Sequence, residues 1–112
     1  MDDNVFFQEV IKNVKETLSK ELAFHSEYYN KDVILDTDKC YRVIIEWKKC
    51  MGEIVIEQPE FAPYRYVSFK IVSCIDTDSL SLFCWYDSSD DSLDSIRAKI
   101  DEGLKIGFNY SK

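Results

Sequence analysis

Hydrophobic residues recur three and four apart at the start of the chain. Phe7, Val10, Ile11, Val14, Leu18 and Leu22 keep this step, while Lys12, Lys15, Glu16, Ser19 and Lys20 fill the positions between them. One apolar stripe on a helical repeat predicts an amphipathic helix from about Asp3 to Phe24.

The period then drops to two. In YRVIIEWKK, Tyr41, Val43, Ile45 and Trp47 alternate with Arg42, Ile44, Glu46 and Lys48, the mark of a strand with one buried face. CMGE reads as a turn with Gly52 free to take positive φ, and EIVIEQ returns with Ile54 and Ile56 on one side. PEFAPY holds both prolines and cannot continue a ladder, so it reads as a loop. RYVSFKIVSCI alternates again, with Val67, Phe69, Ile71 and Ile75 on one side, DTDS turns the chain, and LSLFCWY comes back antiparallel. A weaker strand, VIL near residue 34, precedes the first hairpin.

After the last of these strands comes DSSDDSLDS, four carboxylates and four serines between Asp87 and Ser95. Asp and Ser side chains accept the unpaired N–H groups of a first helical turn, so a second helix is expected to begin near Ser89 or Ser92. Leu93, Ile96, Ile100 and Leu104 supply its stripe, and Gly103 suits a C-terminal stop. LKIGFNY alternates Leu104, Ile106, Phe108 and Tyr110, which fits either a closing strand or a helix that runs on. The expected architecture is α+β: one domain spanning residues 1–112, with an N-terminal helix and an antiparallel meander of four to five strands. A second helix packs on the same sheet face, with a short C-terminal strand as one of the two endings the pattern allows.

Charge narrows the function. Fourteen Lys and Arg against 21 Asp and Glu leave a net charge of −7. Such a field repels phosphate backbones and anionic membranes and attracts basic proteins. No apolar run is long enough to cross a membrane. The opening MDDNVFF has no basic region of the kind that starts a secretory signal, so a cytoplasmic setting is expected. The cysteines Cys40, Cys50, Cys74 and Cys84 stand as C-x9-C-x23-C-x9-C, without the short knuckle of a zinc site. Free thiols serving as small hydrophobes in strands, and no metal, are expected.

A calcium loop starting at Asp87 has Ser92 where a glycine is needed and Ala98 where a bidentate glutamate is needed. The segment therefore reads as a capping turn. G-x-S-x-G, P-loop, G-x-G-x-x-G and H-E-x-x-H motifs are all missing. The single histidine, His25, follows the first helix with no nucleophile in view and suits a local structural role. No enzyme and no cofactor are expected.

Alternation also assigns a second sheet face to Ile44, Val55, Tyr66, Val72, Phe83 and Trp85, among Arg42, Glu46, Glu57, Ser68, Lys70 and Ser81. That is more apolar and aromatic surface than a solvated face needs, unless the PEFAPYRY segment or the C-terminal strand folds across it. The expected function is non-catalytic binding: a bacterial immunity or inhibitor-type protein that neutralises a basic partner such as a toxin. Asp87, Asp90 and Asp91 would steer the encounter, and Tyr66, Phe83 and Trp85 would anchor it. A small secretion-type chaperone and a small-ligand-binding domain are the alternatives. Monomer and homodimer stay equally open.

Overall fold

The computed structural model describes residues 3–75 and 80–112. Helix α1 (Asp3–Ala23) leads into β1 (Asn30–Asp36), β2 (Cys40–Glu46), β3 (Cys50–Glu57), β4 (Val67–Ser73) and β5 (Ser81–Tyr86), and the chain ends in α2 (Leu93–Tyr110). The strands form one antiparallel sheet in the order β1-β2-β3-β4-β5. The expected α+β fold is thus found, with both helices on one sheet face. The turn DTDS lies outside the described residues.

All six apolar residues predicted for the first stripe are buried, none more than 5 % exposed. Each such side chain contributes about 1.5–3 kcal/mol on leaving water. Register defines what the helices cover. Val43, Ile54 and Phe69 form one row across the sheet, and Ile45, Gly52 and Ile71 the next. Phe7 meets Tyr66 edge-on at 5.2 Å, and the Lys15 ammonium of α1 lies 5.2 Å from the ring of Tyr41.

Three sequence expectations need correction. The β2–β3 turn is Lys48–Lys49, closed by Trp47 N–H donating to Cys50 O at 2.9 Å, and CMGE belongs to β3. Gly52 is there for space, because a Cβ would stand 3.1 Å from Trp47 and 3.2 Å from Ile71 and Phe69. Gly103 does not stop the second helix. It is buried mid-helix, and α2 runs through residues 104–110, burying Leu104, Gly107 and Phe108 on the same stripe as Ile96 and Ile100. The alternation in LKIGFNY is overruled because the helical spacing buries more. The VIL segment extends to a full strand of seven residues, all exposed.

Candidate partner-binding surface

Sequence reasoning placed three carboxylates and three aromatics on one binding surface. The structure separates them. Asp87, at the end of β5, is only 2 % exposed. Its Oδ1 accepts from the N–H groups of Tyr66 and Val67, both at 2.8 Å. Its own N–H donates to Val67 O, and its carbonyl accepts from Arg65 N, each at 3.1 Å. Asp87 therefore clamps the start of β4 to the end of β5. Burial pushes its carboxyl up, opposed by the backbone N–H groups of Val67, Tyr66 and Arg65, while nearby Asp91 adds to the rise. Oδ2 is buried without a hydrogen-bond partner among the described residues. A charge held this way steers nothing, so Asp87 leaves the list of steering residues.

Asp91 is half-buried and engaged. Its Oδ2 accepts from Ser88 N at 2.8 Å, and its Oδ1 from Ser95 Oγ at 3.0 Å. Ser92 is the N-cap of α2: its side chain accepts from Ser95 N at 3.2 Å, and Ser95 Oγ accepts from Ser92 N at 2.8 Å, a reciprocal capping box. Asp90 is exposed, and among the described residues it spends only its backbone N–H, on Ser88 Oγ at 3.2 Å. Asp94 is the next exposed carboxylate, paired with Arg97 at 2.6 Å. Among the described residues no group of three His, Cys, Asp or Glu is arranged to hold a metal ion.

The aromatics belong to the helix-covered side. Phe83 pairs with Ile71 and Trp85 with Phe69, so both point the way the buried residues point. A register shift between Ile71 and Val72 breaks the simple alternation through LSLFCWY and explains the misplaced phase. Both remain half-buried at the sheet edge, with Phe83 against Phe69 at 5.3 Å. Tyr66 is 6 % exposed beneath α1, with the Arg65 guanidinium 4.6 Å from its ring centroid.

The open face is consequently less aromatic than alternation suggested. Cross-strand rows place Ile44, Glu53, Lys70 and Cys84 together, and Arg42, Val55, Ser68 and Tyr86 beside them. Arg42 Nε donates to Glu53 at 2.7 Å, and the Lys70 ammonium lies 5.3 Å from the Tyr86 ring. The proline-bearing loop covers one end of this face: Tyr64 stacks on Tyr86 at 5.9 Å and donates to Glu57 at 2.7 Å. Burial and the Glu57 carboxylate push the Tyr64 phenol up to about 12. A shallow groove of about 260 Å³ remains, lined by Ile44, Met51 and Val72 with Glu53 and Lys70.

Two features escaped sequence reasoning. One is a polar cleft of about 580 Å³ between α1, the β1–β2 turn and the end of β3, lined in part by Gln8, Asp38, Cys40 and Glu57. Gln8 Nε2 donates to Asp38 O at 2.6 Å. Burial, with Glu57 nearby, pushes the Cys40 thiol up, which keeps it protonated and weakly nucleophilic. The cleft offers hydrogen bonding rather than covalent chemistry. The other feature is β1, where Val33, Ile34 and Leu35 are 42 %, 46 % and 44 % exposed.

All four cysteines are free, but only Cys50 is buried as a strand hydrophobe, and Cys74 and Cys84 are exposed. His25 stacks on Phe108 at 3.7 Å with the rings 6° apart, a local packing role. No described helix is long and apolar enough to cross a membrane. The site and fold define an α+β protein with a five-stranded meander under two helices. Comparison with protein-family models, curated proteins and solved structures finds no match.

Proposed function

We propose that the protein is a non-catalytic acidic binding protein of the immunity or inhibitor type, which neutralises a basic protein partner such as a toxin. The observation that carries this reading is the end of β5, where exposed Asp90 and Asp94 follow a strand edge holding half-buried Trp85 and Phe83. Exposed carboxylates accelerate encounter with a basic surface, and partly covered aromatics at an edge gain contact area when the complex closes. The net charge of −7 extends that attraction beyond the patch.

The test uses the tagged full chain as bait in lysate of its source cells, followed by re-measurement with the purified captured protein. The reading expects a basic protein whose activity is lost on binding and whose association slows as salt rises. An acidic partner, or a basic one still active when saturated, overturns it. A secretion-type chaperone is the second reading, favoured by the uncovered apolar strand β1. It expects a client bound unfolded and released intact.

A further inference from the structure

Strand β1 stands at one end of the sheet order, so the outer row of its backbone N–H and C=O groups faces no strand among the described residues. Val33, on the helix side opposite Val43, lies beyond the helical cover, and Leu35 stands on the open face opposite Arg42. The other edge is better protected. On β5, Phe83 and Trp85 pack against the core, and Tyr64 stacks on Tyr86. Apolar side chains exposed on both faces of one edge strand therefore occur at β1.

Natural edges are usually blunted by charges and bulges, and β1 carries both. Their arrangement is selective. Five positions apart in a regular strand, Lys31 and Asp36 would point to opposite faces. The extra residue Ile34, between the pairs Val33–Val43 and Leu35–Arg42, restores them to one face, since Lys31 pairs with Ile45 and Asp36 with Tyr41.

We propose that the outer edge of β1 is a self-association surface, on which a second copy of the chain pairs antiparallel and joins two five-stranded sheets into one. In the register centred between Val33 and Ile34, Lys31 of each copy lies opposite Asp36 of the second copy, on the same face. Asp32 lies opposite Leu35 on the other face, and Val33 and Ile34 meet at the two-fold axis. No like charges face each other directly, whereas a slip centred on Asp32, which sets that carboxylate opposite its own copy on the same face, is penalised. Lys15 already engages Asp36 Oδ1, and a carboxylate has acceptor capacity for a second cation. One strand-to-strand junction is small for an interface, so the dimer is weak and concentration-dependent. This inference is independent of the basic partner proposed above.

Sedimentation equilibrium of the full chain, from about 10 μM to about 1 mM, reads such an equilibrium directly. The expected result is a monomer–dimer equilibrium that Lys31→Glu and Ile34→Lys each weaken by about tenfold or more. Both positions are exposed, and circular dichroism confirms that the variants fold. Mixing Lys31→Glu with Asp36→Lys should restore association, because both cross-strand pairs are then opposite in charge. A monomer throughout overturns the proposal. So does a dimer indifferent to Lys31→Glu and Ile34→Lys, or a mixture that fails to associate. Asp36 also holds Lys15, so if Asp36→Lys does not fold, the decision rests on the first two variants.

Discussion

The indole of Trp47 lies directly on the backbone of Gly107. A Cβ added to that glycine would sit 2.5 Å from Cζ2 and 2.6 Å from Cε2 and Cη2. One turn earlier Gly103 meets Phe69 in the same way, with a Cβ 2.9 Å from Cζ. Two glycines four residues apart thus let α2 lie flat on an aromatic layer contributed by the sheet. Phe108 completes it, edge-on to Trp47 at 5.7 Å.

Gly107→Ala should therefore destabilise the protein by about 1–3 kcal/mol through overpacking, although alanine is the better helix former by about 1 kcal/mol. Trp47 is 2 % exposed and has little room to yield. Trp47→Phe in the Gly107→Ala background should recover part of the loss. Urea unfolding of the two single variants and the double variant measures the coupling. Additive effects would show that the glycine does not serve the indole.

Helix α1 and the buried phases of β2 and β4 were legible because a single periodicity governs each, and tertiary packing agrees with it. The errors cluster where one residue answers to two demands. Glycine can mark a turn or a close approach, and Gly52 and Gly103, which look like punctuation in the sequence, both make room for rings. A bulge is silent in composition, so the shift between Ile71 and Val72 moved Phe83 and Trp85 to the other face. The carboxylates of the acidic turn looked equivalent, yet position alone makes Asp87 a buried clamp, Asp91 a bracket and Asp90 a solvated charge.

Asp87 makes stability depend on pH in a defined direction. Its folded carboxyl is pushed above the ordinary value, chiefly by burial. Between the unfolded and folded values the native state binds more protons than the unfolded state, so stability falls as pH rises there. The contribution is complete below the unfolded value and lost as pH passes the folded one. Asp87→Asn cannot titrate, so wild type should lose ground to it as pH rises through the acidic range. Asp87→Ala leaves the N–H groups of Tyr66 and Val67 without their acceptor and should cost about 2 kcal/mol or more at every pH. Denaturant unfolding across that range checks both. A pH-independent gap between wild type and the asparagine variant would contradict the assignment.

The cap of α2 is Ser92. Ser92→Ala should cost about 0.5–2 kcal/mol, because it breaks one half of the capping box. Thermal unfolding of the variant measures it. A loss below that range would mean that Asp91, through Ser88 and Ser95, holds the turn alone.

Thiol reactivity should sort by burial. Cys74 and Cys84 are exposed and should react rapidly with a disulfide reagent in the native protein. Cys40, half-buried with its thiol pushed up, should react slowly. Cys50 is buried, with Sγ 3.5 Å from Gly107 O, and should react only on unfolding. Time-resolved titration counts the classes. Fast reaction of Cys50 would mean that the end of α2 opens readily from the sheet.

The two roles at the end of β5 separate kinetically once a basic partner is in hand. Asp90 is exposed and makes no side-chain contact that the fold needs, so Asp90→Lys should slow association and flatten its salt dependence while leaving dissociation nearly unchanged. Trp85→Ala should chiefly speed dissociation, costing about 2 kcal/mol or more if the indole is an anchor. Because Trp85 also packs against the core, its variant must first be shown to unfold cooperatively. Asp87→Asn is the control, since a buried clamp with intact geometry should change neither rate. If Asp87→Asn slows association as much as Asp90→Lys does, the acidic turn acts through its fold rather than through its exposed charge.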